Sequence, residues 1–323
     1  PVVGGEGAWL LTADGRRILD LSSQAECSNL GHQHPRVVQA IRDQAERLCF
    51  VTAAWGAEPR AALAERLLDK AVMAEGRVFF TLAGADANEN AVKFARWASG
   101  RPAGRILTRH RSYHGATHAA MALSGDTRAQ GLEGLGLEGV VKVQPPDTYR
   151  SPFGGATEAE EGRRAAAHVG DVLDCAPEAA AVLMEPDAGT NGIVPADTWW
   201  PALREETRRR GVLLIADEVM SGFGRVGEWF AWQRHGETGR PDLFTLAKGL
   251  TGAHLPLGAV VVDGPVARAL EARTLLTGLT YCGHPLSCAA ALGALDAYEE
   301  GNLIARSRAL GAELFTSLKD LQT

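Results

Sequence analysis

Short apolar runs that alternate with helix-length segments constrain this 323-residue chain more than any other feature. Val78-Phe-Phe80 leads into a helical pattern from Ala87 to Trp97, and Ile106-Leu107 stands after it. Ala181-Val-Leu-Met184 precedes a second helical stretch, Thr198 to Arg210, which runs into Val212-Leu-Leu-Ile215. A strand that is apolar at every position is buried on both faces, and strands separated by helices are joined by crossovers. The pattern therefore predicts an α/β fold with a mostly parallel sheet covered on both sides. Leu243 to Ala247 and Ala259 to Val262 add two strands whose link is short enough for one of them to run antiparallel.

The flanks read differently. Residues 7 to 21 alternate apolar and polar around Ala13-Asp14-Gly15, where Asp-Gly supplies the positive φ that a tight hairpin needs, so a small antiparallel edge is expected. His34-Pro35 opens a helix carrying Val38, Ile41, Ala45 and Leu48 near a 3.6 period, with Pro35 in the first turn, and a second helix follows Glu58-Pro59. Gly125 to Gly162, rich in Gly, Pro and Glu around Gly131 to Gly139, is expected to be an ordered loop excursion. The start lacks methionine and Leu318 to Thr323 ends within an amphipathic pattern without a C-cap, which suggests a piece of a longer protein.

Composition narrows the function. The chain is 46% hydrophobic and carries a net charge of −6, with its Lys and Arg scattered, which argues against nucleic acid or an anionic membrane as partner. No apolar run reaches the roughly 20 residues a membrane helix needs. Five cysteines without a CxxC pair, in a chain too long to need disulfide staples, fit a reducing cytoplasm.

In an open α/β sheet ligands bind beyond the carboxyl ends of the strands, so the polar residues that follow apolar runs are the first candidates. Asp217 and Glu218 end one such run, Lys248 follows another between Ala247 and Gly249, and Glu185 follows a third. Phe79-Phe-Thr-Leu-Ala-Gly84-Ala85-Asp86 ends in a small-residue turn that enters a helix. A lone lysine after a strand is ordinarily a solvated loop residue, a lone Asp-Glu an N-cap, and a small-residue turn a weak signal. Together they offer an amine for an aldehyde, a carboxylate for a ring nitrogen and backbone N–H groups for a phosphate, the three handles of pyridoxal phosphate.

Over nearly its whole length the chain resembles a class III, or ω-type, pyridoxal-phosphate-dependent aminotransferase. The resemblance is carried in order by Leu30-Gly-His-Gln-His-Pro35, Gly84-Ala-Asp-Ala-Asn-Glu89, Tyr113-His-Gly115 and Glu185-Pro186. Asp217-Glu-Val219, Ser221-Gly-Phe-Gly-Arg225, Ala247-Lys-Gly249 and Thr280-Tyr-Cys-Gly-His-Pro285 follow. It implies fold type I, with a mostly parallel seven-stranded sheet in a large domain, 51–290. Residues 1–50 would belong to the small α+β domain and its connecting helix, and 291–323 would begin that domain's C-terminal part.

For the site, the resemblance implies that Lys248 carries the cofactor as a Schiff base and later moves the proton. Asp217 would pair with the pyridinium nitrogen, Val219 and Tyr113 would take opposite ring faces, and Gly84 and Ala85 would bind the phosphate. His114, beside Tyr113, belongs to the same loop over the cofactor, and Glu185 would be the acid on the substrate side. Thr280 would reach the phosphate in the neighbouring subunit of a homodimer.

The implied reaction moves an amino group from an amine or ω-amino acid to a 2-oxo acid such as pyruvate. Glu185 to Pro195 and Leu279 to His284 look most like the taurine or β-alanine to pyruvate branch. An aminomutase or decarboxylase on the same scaffold, or a non-catalytic dimerising remnant, are the alternatives. The sequence departs from the family where Ala83-Gly84-Ala85 replaces a Ser-Gly-Ser turn, where Met220 replaces glutamine and where His284 replaces asparagine. The arginine that binds a substrate carboxylate in the family is expected in a C-terminal segment beyond these residues.

Other conspicuous residues have plainer explanations. His110, His114 and His118 recur every four residues, but Gly115 and the preceding strand put them in a loop and not on one helical face, so no metal site is assigned. His32 and His34 flank a turn and suit structural hydrogen bonds. Cys282 and Cys288 read as small packing residues, and Trp199, Trp200, Trp229 and Trp232 as core or interface.

Overall fold

The computed structural model describes residues 1–132 and 138–321. Strands β1 (Val2–Glu6), β2 (Trp9–Thr12) and β3 (Arg17–Leu19) form a small antiparallel sheet. Its second hairpin turns where Asp-Gly predicted: Gly15 has φ of +81°, and the Thr12 N–H donates to the Arg16 carbonyl at 3.0 Å. Helices Pro35–Arg47 and Glu58–Lys70 follow, each with proline in its first turn, and both pack on helix Pro285–Glu300.

The main sheet has seven strands: β4 (Arg77–Thr81), β5 (Ile106–Arg109), β6 (Val140–Val143), β7 (Ala181–Met184), β8 (Leu213–Asp217), β9 (Leu243–Leu246) and β10 (Gly258–Val262). Their order is β4-β10-β9-β8-β7-β5-β6. All neighbouring pairs are parallel except those of β10, which runs antiparallel to both β4 and β9.

Successive side chains point to opposite faces, and the core divides accordingly. Val182, Met184, Leu214, Ala216, Phe244 and Leu246 belong to one buried cluster. Ala181, Leu183, Ile215 and Leu243 join Ala87, Ala91 and Phe94 of helix Gly84–Ala98 in the other. Both faces are thus covered, which is why these strands read as continuous apolar runs.

The stretch from Gly125 to Gly162 is not wholly the expected loop. It contains β6, paired in parallel with β5 at the sheet edge, and its end opens helix Glu158–Asp174. Thr157 caps that helix, its hydroxyl accepting from the Glu160 N–H at 3.2 Å, with Glu158, Glu160 and Glu161 in the positive first turn. The glycine- and proline-rich surroundings hid both elements; residues 133–137 in the middle of the stretch lie outside the described residues. The amphipathic C-terminal segment forms helix Leu303–Asp320, and 322–323 are likewise outside them. Among the described residues no helix is long and apolar enough to cross a membrane.

Candidate active site

A cavity of about 460 Å³ opens at the carboxyl end of the sheet. Into it project Asp217, the last residue of β8, and Lys248, which follows β9 after Ala247. Glu185 enters from just past β7, and Gly84 and Ala85 from the turn after β4. Val219, Tyr113 and His114 complete the set. The structure therefore gathers every site residue expected from sequence except Thr280, which is exposed and lies outside this chain's cavity.

Asp217 is only 4% exposed and is held from four directions. Oδ2 accepts from Asn88 Nδ2 at 2.8 Å and from His114 Nδ1 at 2.7 Å; Oδ1 accepts from the Val219 N–H at 3.0 Å and lies 3.4 Å from the Thr245 hydroxyl. Because a carboxylate only accepts, the network assigns the His114 proton to Nδ1. This leaves Nε2 of His114 buried with no hydrogen-bond partner among the described residues.

Asn88 is the hub that sequence reasoning missed. Its amide donates to both Asp217 and the His114 carbonyl, the latter at 2.9 Å, while its Oδ1 accepts from the Thr245 hydroxyl at 2.7 Å. It sits four residues after Gly84, on the same face of the helix as the Gly84 turn, and that spacing was the available signal.

Lys248 has φ of +39°, a left-handed conformation uncommon outside glycine and frequent at functional sites. Its amine keeps both solvent and a partner: the side chain is 25% exposed and Nζ lies 3.3 Å from Glu26 Oε2. The segment that precedes the helix from Pro35 brings that carboxylate to Lys248, beyond the end of β9.

Glu185 is buried and forms an ion pair with Arg109, itself 1% exposed at the end of β5. Its other oxygen accepts from the Tyr113 N–H at 3.3 Å, so the pair also fixes the loop that carries Tyr113. Arg109 was overlooked although it too is a polar residue closing an apolar run. On the far side of the sheet end, Glu218 is fully buried and accepts from Ser221, Ala231 N–H and Trp232 N–H. Burial pushes its carboxyl up to about 7 against those donors.

The turn after β4 suits an anion. Gly84 and Ala85 occupy the first turn of helix Gly84–Ala98, where no carbonyl four residues back accepts their N–H groups and the helix end is positive. A Cβ on Gly84 would lie 2.9 Å from both Cγ atoms of Val219, so only glycine lets the turn approach that side chain. Asp86 folds back instead, accepting from the N–H groups of Leu82 at 2.9 Å and Ala83 at 2.7 Å.

The remaining conspicuous side chains are structural. His32 bonds Asp20 at 3.0 Å, while at His34 it is the backbone N–H that donates, to His254 Nε2 at 3.0 Å. Trp199, Trp200 and Trp232 are buried, with Trp200 Nε1 donating to the Gly239 carbonyl at 2.7 Å. Cys282 and Cys288 are buried as well, and burial pushes the Cys288 thiol up to about 12. His118 opens helix His118–Leu123, away from the loop that holds His114.

The family profile described as Aminotransferase class-III matches residues 1–323. An acetylornithine aminotransferase of Bordetella parapertussis is 37% identical over 318 residues, 97% of this chain and 75% of its own. A putrescine–pyruvate aminotransferase of Pseudomonas aeruginosa is 34% identical over 314 residues, 94% of this chain and 68% of its own. The solved structure of the taurine:2-oxoglutarate aminotransferase from Bifidobacterium kashiwanohense, in complex with PLP and glutamate, superposes with a TM-score of 0.94. The identity is 38%, over 99% of this chain and 72% of that one.

Proposed function

The chain belongs to the class-III aminotransferase family, and from that premise we propose that it moves an amino group from an amine or ω-amino acid of the taurine or β-alanine kind to a 2-oxo acid such as pyruvate. The observation that carries the proposal is that Lys248 and Asp217, from neighbouring parallel strands, open into one cavity while the Asn88 and His114 side chains hold Asp217 in place. The similarity to a taurine:2-oxoglutarate aminotransferase and to a putrescine–pyruvate aminotransferase supports an amine or ω-amino acid donor and a 2-oxo acid acceptor.

The cofactor is pyridoxal phosphate, and the residues present fit it: the glycine cradle against Val219, the helix N-terminus, the amine and the fixed carboxylate each match one of its groups. When bound, it supplies an electron sink that lets the C–H bond beside the donor's nitrogen be broken heterolytically. Lys248 would hold it through Nζ and, once displaced by the donor amine, carry the proton on that same atom. Asp217 would face the ring nitrogen and keep a proton there, a task for which Asn88 and His114 set its orientation. The N–H groups of Gly84 and Ala85 would receive the phosphate, and Val219 and Tyr113 would close on the ring.

Glu185, neutralised by Arg109, would steady the Tyr113 loop beside the substrate. Thr280, exposed on its own subunit, would complete the phosphate site of a second copy in a homodimer working in the cytoplasm.

The test is an absorbance spectrum of the purified protein supplied with the cofactor, with β-alanine, taurine or alanine added in turn. A visible band that bleaches with β-alanine or taurine is expected; no change with any donor overturns the proposal. Borohydride should fix the cofactor to the protein, and Lys248→Ala should abolish that fixation. Retained fixation would remove the role given to Lys248.

A further inference from the structure

Lys142 stands on β6, the edge strand, opposite Thr108 of β5. Its Nζ lies within hydrogen-bond distance of four oxygens, more than its N–H groups can serve at once: Thr108 Oγ1 at 2.8 Å, the carbonyls of Ala122 at 2.9 Å and Ser124 at 2.8 Å, and the carbonyl of Leu123. Those three carbonyls end helix His118–Leu123, where the last carbonyls lack intrahelical partners and the dipole is negative. A helix of six residues is too short to hold itself and depends on anchors. Glu89 supplies one at the N-terminal end, accepting from the Thr117 hydroxyl at 2.5 Å and the Ala120 N–H at 3.3 Å. Lys142 supplies the other.

What this helix end carries is the site. The Ser124 hydroxyl donates to the Ala120 carbonyl at 2.8 Å and accepts from the His114 N–H at 2.8 Å. Next to it, a Cβ on Gly125 would lie 2.2 Å from the Arg109 carbonyl, so the two segments cross with no room for slippage. An unbroken path runs from Lys142 through Ser124 and His114 to Asp217.

We propose that Lys142 is a positioning residue for Asp217: by fixing the end of helix His118–Leu123 it keeps the Ser124 hydroxyl on the His114 amide, and so the imidazole on Oδ2 of Asp217. Packing alone does not select a lysine there. Burial pushes its amine down to about 7 and its bonded partners are all neutral oxygens, so an apolar side chain of equal length would avoid a desolvation cost. The inference rests on the role given to Asp217 above.

The test uses the holoenzyme with Lys142→Met and Ser124→Ala, singly and together. By NMR of histidine-labelled protein, each single variant should speed solvent exchange of the His114 Nδ1 proton. Each should also lower kcat about tenfold at unchanged KM for the donor. The double variant should be no worse than the worse single, because both act through one route. Unchanged exchange in Lys142→Met, or in Lys142→Gln should the first not fold, overturns the proposal, as do additive losses in the double variant. Exchange is read without turnover, so a failed substrate assignment leaves this result standing.

Discussion

Nδ1 of His114 lies 2.7 Å from Oδ2 of Asp217, and both side chains are almost wholly excluded from water. The two residues are 103 positions apart and meet because the loop after β5 crosses the end of β8. In such an environment a hydrogen-bonded carboxylate keeps its direction, and direction is what a proton held on a facing ring nitrogen requires.

Asp217→Asn should therefore retain the cofactor while kcat falls about a hundredfold or more, since the amide cannot hold a proton on the ring nitrogen through charge. Steady-state kinetics beside a cofactor titration check this. Unchanged turnover would remove the electronic role of Asp217.

For Asn88→Ala a loss of about 10- to 100-fold in kcat is expected, the usual effect of removing a residue that orients another. Asn88→Asp should be worse, because it sets a second carboxylate against the one it now supports. Kinetics of the two variants side by side decide it: an aspartate variant more active than the alanine variant contradicts this account of the network.

Arg109→Met leaves Glu185 buried without its cation. Breaking such a pair from one side costs about 3–5 kcal/mol, whereas replacing both members is far milder. Urea unfolding should show the single variant strongly destabilised and Arg109→Met/Glu185→Gln largely restored. Equal destabilisation of the two would show that the ion pair is not what matters there.

Gly84→Ala should weaken cofactor retention during dialysis, because its Cβ would collide with Val219 and push the turn off the ring. Trimming the obstacle with Val219→Ala should recover part of the retention in the double variant. If the second substitution only adds to the loss, the contact between these residues does not set the cradle.

Glu218 binds its proton more tightly folded than unfolded, since burial raises its carboxyl from 4.5 to about 7. Its contribution to stability is complete below pH 4.5 and is lost as pH rises through 7, a change of about 3 kcal/mol from the linkage between proton affinity and folding. The difference in unfolding free energy between the wild type and Glu218→Gln, followed from pH 4 to 8, should fall across that window. A difference independent of pH would mean that Glu218 keeps an ordinary carboxyl in the fold.

Periodicity and residue type were enough to place six of the seven strands of the main sheet, the hairpin at Asp14-Gly15 and the strand-end positions of Asp217, Lys248 and Glu185. Each is a local property: burial on two faces makes a strand apolar throughout, and a strand's end is marked where polarity resumes. The ordered motifs did the rest for the family. The tertiary structure decided that β10, one of the pair expected to include an antiparallel strand, runs against both neighbours, that Val140–Val143 is an edge strand, and that Asn88, Arg109 and Lys142 bond to Asp217, Glu185 and Ser124. Their significance lies in partners 18 to 129 positions away. A side chain's sequence neighbours carry no record of which distant oxygen it will meet when the chain closes.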